Sequence, residues 1–264
     1  MAAPSVQVET SGAVALVTLN RPDSANTLNL QMAMDLLAAA MTCARSSAVR
    51  AAVLTGAGRH FSFGGDLRAM ANRETSGGDY VRELTTYLHA AISQFTRMDA
   101  PLIAAVNGTA AGAGVGLAAM ADLALCGRSS KFNLAYTRAG LTPDAGSSFL
   151  LPRTVGVKRA MELLLLNRTL SAAEAHDWGL VNEVVADEQL LPRALEIAEQ
   201  LAQGASGAFG ATKRLVAQSL GALESQMVLE SEMIAAQAMS AEGAEGIGAF
   251  LEKRTPRFPD KGPR

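Results

Sequence analysis

The chain has 264 residues, of which 49% are apolar and 18% are charged, and its formal net charge at pH 7 is −2. This length and apolar content allow a sizeable hydrophobic core, whereas the near-neutral charge argues against nucleic acid or an anionic membrane surface as a partner, because both select for basic patches. The N-terminal residues lack a basic stretch followed by an apolar run, and no apolar run approaches the ~20 residues that span a bilayer, so we expect a cytoplasmic protein without a membrane segment.

In the first half of the chain, the pattern predicts strands that alternate with helices. Apolar side chains three and four apart indicate an amphipathic helix at residues 30–44, and the small residues at 110–119 fit a helix that packs closely against its neighbours. Short apolar runs that end at turn signals, such as NRPD at residues 20–23, predict strands. These strands are expected at residues 14–19, 51–54, 102–106 and 123–125. The alternation is typical of a layered α/β domain.

The last quarter of the chain is predicted to be helical. Ser171 and Glu174 have the spacing of a capping box, which predicts a short helix that begins there and ends before Trp178. Beyond Val185 there is little strand signal. Helices are predicted at residues 190–201, 211–220, 223–238 and 244–252. A strand-rich core followed by such helices suggests that they cover a partner or close over a ligand.

No metal site is predicted. Cys43 and Cys126 lie in apolar stretches without metal-ligand spacing, so we expect both to be buried, reduced thiols. The three histidines, His60, His89 and His176, are far apart in sequence and are expected to lie at the surface or to serve packing.

Two glycine-rich segments join a predicted strand to a predicted helix. They are residues 58–67 (GRHFSFGGDL) and 107–116 (NGTAAGAGVG). Glycine allows a turn to point backbone N–H groups into a cavity, and a helix N-terminus offers unpaired N–H donors to an oxyanion or a phosphate. The first segment is also compatible with a purely structural turn, and the second with close helix packing. The second segment is not a P-loop, because no Gly-Lys-Ser/Thr follows, and it matches the dinucleotide fingerprint poorly.

A third segment, residues 139–148 (AGLTPDAGSS), contains a single acidic residue among small neutral ones. On local grounds Asp144 is either the N-cap of the helix that follows or a base held in a poorly hydrated pocket. The sequence around it leaves both interpretations open.

In this order and spacing, the three segments resemble the crotonase (enoyl-CoA hydratase/isomerase) superfamily. The resemblance extends from Val14 to the C-terminus. Its supporting pieces are LNRP at residues 19–22, IAAVNG at 103–108, LPR at 151–153, AAEAHDWGLVNEV at 172–184 and EGIGAFLEKRTP at 245–256. It implies an α/β fold that is a spiral of ββα units, with C-terminal helices used for oligomerisation. Within one domain, residues 1–195 would form the core with the CoA and acyl site, and residues 196–264 the helical trimerisation region of a homotrimer or homohexamer.

The resemblance also implies an acyl-CoA substrate, with coenzyme A as part of that substrate and no separate cofactor. The backbone N–H groups of Gly65 and Ala113 match the two donors that stabilise a thioester enolate in this family. Asp144 matches the catalytic acid/base. Residues matched to substrate and CoA binding are Ser24, Ala25, Asn26, Leu28, Phe63, Asp66, Leu67, Met70, Gly112, Gly116, Tyr136, Leu141, Phe250 and Lys253. Asp66 is also interpreted as a residue that holds its turn, and residues 71–80 as a mobile loop over the acyl end.

Departures from the family pattern bear on the reaction. Hydratases of this family use two glutamates to activate water, and the matching positions here are Gly116 and Tyr136. Asp144 instead falls in the turn where enoyl-CoA isomerases place one glutamate and the ring-epoxide isomerases of phenylacetate degradation place an aspartate. A single base suits isomerisation, because the proton that it removes is returned to another carbon. The alternatives are an enoyl-CoA hydratase, thioester hydrolysis or C–C cleavage, and a non-catalytic acyl-CoA-binding protein.

Overall fold

The computed structural model describes residues 4–71, 77–219 and 223–257. Its elements in chain order are β1 (Val6–Ser11), β2 (Val14–Leu19), α1 (Leu30–Arg45), β3 (Ala51–Gly56), α2 (Leu67–Ala71), α3 (Gly77–Arg97), β4 (Leu102–Val106), β5 (Thr109–Ala111), α4 (Ala113–Ala119), β6 (Leu123–Gly127), β7 (Lys131–Asn133), α5 (Ser147–Thr154), α6 (Val157–Leu166), β8 (Thr169–Ser171), α7 (Ala172–Asp177), β9 (Glu183–Val185), α8 (Leu190–Ala202), α9 (Ser206–Ser219), α10 (Leu223–Ala238) and α11 (Ala241–Leu251). The predicted mixed α/β architecture is confirmed.

Two sheets organise the chain. The larger sheet has the strand order β1-β2-β3-β4-β6-β9 and is parallel except for the hairpin of β1 and β2. A smaller sheet, β5-β7-β8, lies beside it. Because β2, β3, β4 and β6 of the larger sheet run parallel, the turns that follow β3 and β4 leave the same edge of the sheet. Both glycine-rich segments therefore begin at that edge.

Helices bury both faces of the larger sheet, which is why its inner strands are continuous apolar runs. Leu54 and Ala104 face the main core beneath α1, α3 and α4, whereas Val53 and Ile103 face the opposite side. That opposite side is covered by α8 through Leu190, Ala194 and Ala198. The boundary expected at residue 195 thus falls within α8, a helix that is integral to the sheet packing.

The C-terminal helices fold back onto their own chain. α10 packs against α3, and α11 packs against α2 and residues 137–139. Two starts differ from the predictions, because α9 begins at Ser206 rather than at residue 211 and α11 begins at Ala241, after its N-cap Ser240. The capping box of Ser171 and Glu174 is present at the start of α7. No helix in the described part of the chain combines the length and apolar content needed to cross a membrane.

α3 is the principal element that the sequence analysis did not identify. Val81, Leu84, Leu88 and Phe95 are buried along one of its faces. The prediction of a mobile loop at residues 71–80 is wrong at both ends of that range, because α2 ends at Ala71 and residues 77–80 form the first turn of α3. The middle of that predicted loop, residues 72–76, lies outside the described residues.

Oligomerisation stays a prediction, and exposed apolar side chains on the C-terminal helices support it. Leu215, Leu229 and Met233 are exposed apolar side chains on α9 and α10. We expect light scattering at micromolar concentration to give three or six times the chain mass of 27.4 kDa. Leu229→Glu should lower that mass, whereas Gln203→Glu, the same charge change at an exposed residue between α8 and α9, should not. A monomeric wild-type protein would contradict the prediction.

Candidate active site

The loop that follows β3 carries the first candidate donor, Gly65, and buried polar side chains fix its path. Asn26 Nδ2 donates to the carbonyl oxygens of Ala57 at 2.9 Å and His60 at 2.7 Å. Ser62 Oγ donates to the Asn26 carbonyl at 2.8 Å and accepts from Gly64 N at 3.1 Å. Since Asn26 and Ser62 are fully buried, these bonds hold the loop in one conformation.

The loop that follows β4 and β5 brings the second candidate donor, Ala113, against the first loop. Gly112 has φ 50° and ψ −125° and is the N-cap of α4, so Ala113 is the first residue of that helix. Gly64 has φ +76°, and a Cβ atom there would lie 2.9 Å from Ala113 N. Among the residues that the structure describes, no acceptor is found for the N–H groups of Gly65 and Ala113. Both are available to a ligand.

The carboxyl group of Asp144 is buried, and only 4% of the residue's surface is exposed. Burial raises the pKa of this carboxyl group to about 6, and a hydrogen bond from Tyr136 opposes the rise. Tyr136 Oη donates to Asp144 Oδ1 at 2.6 Å. Burial and the negative charge of Asp144 raise the pKa of the tyrosine well above its usual range, so the phenol keeps its proton at neutral pH. The low hydration predicted for the Asp144 carboxyl group is confirmed, whereas its role as a base stays a prediction.

α4 packs against the segment that carries the acid. A Cβ atom at Gly112 would lie 3.9 Å from Tyr136 Cζ, and one turn later a Cβ atom at Gly116 would lie 2.6 Å from the Ala145 carbonyl oxygen. The first turn of α4 therefore faces the segment that carries Tyr136 and Asp144. The N-terminal turn of α4, which carries the second donor, thus packs against the segment that carries the phenol and the carboxyl group.

The alternative role of Asp144 as a helix N-cap is wrong. α5 begins at Ser147, and its N-cap is Gly146. Asp144 contributes only its main-chain carbonyl, which accepts from Ser147 N at 2.9 Å. The Asp144 side chain points instead to Tyr136, so its carboxyl group is not used by the helix.

Two residues that the sequence analysis did not assign to the site hold the turn after Asp144. His89 Nε2 accepts from Ala145 N at 3.2 Å, and Glu230 Oε2 accepts from Gly146 N at 2.8 Å. Burial lowers the pKa of His89 to about 4, so the imidazole is neutral. Glu230 has a visible sequence signal, because it occupies a buried position of α10 between Met227 and Ile234.

The positions that match the two hydratase glutamates cannot supply a carboxylate pair. A Cβ atom at Gly116 would meet Ala145 Cβ and Ser147 Oγ, each at 2.9 Å. The second position is Tyr136, whose hydroxyl group is bound to Asp144. No side chain larger than hydrogen fits at residue 116 unless the Asp144 turn moves.

Other residues matched to substrate binding are used inside the protein. Asn26 Oδ1 accepts from Arg21 N at 2.8 Å, which completes the hydrogen bonds of the Asn26 side chain. Leu28 is fully buried and pairs through its backbone with Gly64 and Asp66. Neither residue presents a side chain to a ligand. Asp66 accepts from Arg21 at 3.2 Å, as expected of a residue that holds its turn.

The remaining predicted residues fall into two groups. Met70 and Leu141 are buried, and a Cβ atom at Gly65 would lie 2.7 Å from Met70 Cε, so Met70 packs against the first donor. Phe63 and Phe250 are exposed. Ser24, Ala25, Leu67 and Lys253 keep at least partly exposed surfaces. Within the described ranges, no cluster of His, Cys, Asp and Glu side chains is arranged to hold a metal ion.

Comparison with known proteins identifies similar chains over nearly the whole length. The model of the enoyl-CoA hydratase/isomerase family matches residues 9–261. An Escherichia coli (strain K12) protein named 1,2-epoxyphenylacetyl-CoA isomerase is 38% identical over 94% of this chain and 95% of its own. An Arthrobacter sp protein named 4-chlorobenzoyl coenzyme A dehalogenase-2 is 37% identical over 94% of this chain and 91% of its own. The crystal structure of an enoyl-CoA hydratase from Mycobacterium avium subsp. paratuberculosis K-10 superposes with a TM-score of 0.87 at 32% identity and covers 97% of this chain and 99% of that chain. The three proteins are named for different reactions.

The contact between Gly116 and Ala145 gives a prediction for stability. Gly116→Ala places a methyl group 2.6 Å from a backbone carbonyl oxygen, so we expect it to destabilise the fold by ~1–3 kcal/mol and to displace the Asp144 turn. Gly207→Ala in α9 is the matched control, because a Cβ atom there meets no atom within 4 Å. Thermal unfolding followed by circular dichroism compares the two. Equal melting temperatures for the two variants would contradict the prediction, because they would show that the Asp144 turn moves to accommodate the methyl group at little cost in free energy.

Proposed function

Because this chain belongs to the enoyl-CoA hydratase/isomerase (crotonase) family, we propose that it is an acyl-CoA isomerase with Asp144 as its single acid/base. The substrate would be an enoyl-CoA whose double bond moves, or a ring-epoxide aryl-acetyl-CoA. The observation that carries the proposal is the buried Asp144 carboxyl group in the turn against which α4 packs, since Ala113, the first residue of α4, carries one of the two proposed donors. Membership of the family itself makes the chain an enzyme of acyl-CoA chemistry.

In the proposed reaction, the two backbone N–H groups bind the thioester oxygen and Asp144 transfers the proton. The thioester oxygen accepts hydrogen bonds from the N–H groups of Gly65 and Ala113, which stabilise the negative charge as it develops on that oxygen. Asp144 removes a proton from the carbon next to the thioester carbonyl, and the electron pair delocalises as a dienolate. The protonated Asp144 then returns the proton at C4, and the double bond shifts into conjugation. No water enters the balance.

The environment of Asp144 suits a base that must both accept and return a proton. With a pKa of about 6, the carboxyl group is ionised at neutral pH yet is more basic than an exposed aspartate. Tyr136 supports the ionised form through its hydrogen bond of 2.6 Å. A base whose pKa lies near the working pH transfers protons efficiently in both directions.

Two other reactions are discriminated by the same residues. Hydration calls for a second carboxylate to position water, and neither Gly116 nor Tyr136 provides one. Dehalogenation is the reaction for which the Arthrobacter relative is named, and it needs an ionised carboxylate that attacks an aryl carbon. The hydrogen bond from Tyr136 to Asp144 supports that carboxylate as well as it supports the base for isomerisation, so the products formed from each substrate separate the two reactions. A non-catalytic acyl-CoA-binding protein would have no use for this buried carboxyl group.

A substrate panel with matched variants tests the proposal. Wild-type protein should shift the double bond of a 3-enoyl-CoA and should neither hydrate a 2-enoyl-CoA at a comparable rate nor release chloride from 4-chlorobenzoyl-CoA. Asp144→Asn keeps the size of the side chain and an acceptor for Tyr136 but cannot take a proton. We expect it to lower the isomerisation rate by ~10²-fold or more while leaving CoA binding by calorimetry unchanged.

The control for this variant is Asp177→Asn, which makes the same change at an exposed aspartate of α7 and should be neutral. Near-normal isomerisation by Asp144→Asn would place the base elsewhere. Release of chloride that depends on Asp144 would favour the dehalogenase instead.

The raised pKa of Asp144 predicts the pH dependence. Because the base must be ionised, the isomerisation rate should be full above pH 7 and should fall as the pH drops through about 6. The hydrogen bond from Tyr136 lowers this pKa, so Tyr136→Phe should move the acid limb of the profile to higher pH. Profiles of kcat/KM for the two proteins measure the shift. Superimposable limbs would mean that the phenol does not act on the base.

A further inference from the structure

The turn that carries Asp144 has an unusual backbone. Ala145 has φ 55° and Gly146 has φ 71°, so two successive residues adopt the left-handed conformation. Glycine adopts it readily, whereas alanine does so at a cost and keeps it only when its surroundings hold it. The N–H groups of Gly146 and Ser148, at the start of α5, have no main-chain acceptor in the described part of the chain, so they form an array of donors for an anion.

A carboxylate from the C-terminal part of the chain occupies this array. Glu230 Oε2 accepts from Gly146 N at 2.8 Å, and Oε1 accepts from Ser148 N at 3.0 Å. Ser148 Oγ donates to the same Oε1 atom and accepts from Gln226 Nε2 at 2.7 Å. Three donors therefore converge on the carboxyl group of Glu230, a residue that is only 3% exposed.

Glu230 lies on the buried face of α10, where a charged side chain does not contribute to the solubility of the protein. Met227, Ile234 and Ala235 are buried on the same face of α10, a face that a helix normally fills with apolar side chains. A buried carboxylate is costly unless hydrogen bonds compensate it. Here the compensation comes from the Asp144 turn, so α10 and the turn are specific partners.

We propose that Glu230 is a positioning residue for Asp144: by binding the N–H groups of Gly146 and Ser148, it holds the turn in the conformation that directs the Asp144 carboxyl group at the substrate. The inference rests on the proposed function of Asp144. His89 completes the restraint, because it accepts from Ala145 N. Without Glu230, the left-handed Ala145 is free to relax, and Asp144 loses its fixed direction.

The charges around Glu230 give a second signature. The titratable groups coupled to Glu230 by charge are Asp144 and Tyr136, and His89 of α3 binds the same turn through Ala145 N. Ser148 and Gln226 beside it are uncharged. Tyr136 and His89 are both neutral at neutral pH, so Asp144 carries the charge that Glu230 experiences. Burial and this charge raise the pKa of Glu230 to about 7. Because this pKa lies above the value of about 6 for Asp144, Glu230 is already mostly protonated over the pH range in which Asp144 takes up its proton. Removing the charge of Glu230 should therefore leave the pKa of Asp144 nearly unchanged.

Glu230→Gln tests the inference on the full-length protein. Glutamine has one acceptor oxygen and an NH2 group, so it cannot accept from both Gly146 and Ser148. We expect kcat for isomerisation to fall by about tenfold, with KM within twofold of wild type. The acid limb of the pH profile should stay in place, in contrast to its shift in Tyr136→Phe. Glu232→Gln, the same change at an exposed position of α10, is the control and should leave kcat, KM and the pH profile unchanged.

A double variant distinguishes positioning from a general loss of structure. In the Asp144→Asn background, Glu230→Gln should lower the residual rate by less than about twofold, because the group on which it acts is gone. An equal loss in both backgrounds, or a kcat equal to that of Glu232→Gln, would overturn the inference. If Glu230→Gln does not fold, Ser148→Ala removes one of the three donors. It should lower kcat by about threefold, and an unchanged kcat would be the contrary result.

The proposed function fails separately. Full activity of the Asp144→Asn single variant refutes Asp144 as the base, whatever Glu230→Gln does. Loss of activity in Asp144→Asn with none in Glu230→Gln refutes only the positioning role.

Discussion

The close approach of two backbone segments underlies the whole site. A Cβ atom at Gly64 would lie 2.7 Å from the Ala111 carbonyl oxygen, and a Cβ atom at Gly114 would lie 2.4 Å from the Ser62 carbonyl oxygen. Side chains at these positions would drive the loops apart and separate the N–H groups of Gly65 and Ala113. The parallel sheet delivers both loops to one edge, and the glycines let them touch there. The position of α4 depends on this contact, and the position of the Asp144 turn depends in part on α4, which packs against it.

From that contact the structure extends in a chain of close packing to the C-terminal helices. Gly116 of α4 leaves room for Ala145, and the backbone around Ala145 is bound by His89 and Glu230. A protein that placed a glutamate at residue 116 would need a different turn, and thus a different position for the acid after it. The lack of a carboxylate at residue 116 and the position of the Asp144 carboxyl group therefore result from the same packing of Gly116 against the Asp144 turn. Steric space, as well as charge, decides which carboxyl groups this region can hold.

The sequence predicted those features that depend on local pattern. Strands at residues 14–19 and 102–106 have the predicted bounds, since short apolar runs between turn signals specify buried strands. α3 was not identified, although Leu84 and Leu88 mark its buried face, because it begins with Gly-Gly-Asp and carries many polar residues. The hydrogen bond between Tyr136 and Asp144 and the reach of Glu230 across 84 positions to Gly146 depend on tertiary packing. No local pattern encodes those distances, although a glutamate on the apolar face of α10 is a signal in itself.

The contact between α10 and the Asp144 turn has a consequence for the order in which the protein matures. During synthesis the chain emerges from its N-terminus, so the sheet, both donor loops and Asp144 leave the ribosome before residue 230 does. A nascent chain without α10 contains Asp144 but lacks the Glu230 carboxyl group that binds its turn. With the proposed role of Glu230, full activity would arrive only with α10, and a product cut short after α9 would have the sheets and both glycine-rich loops but an Asp144 turn that Glu230 does not hold.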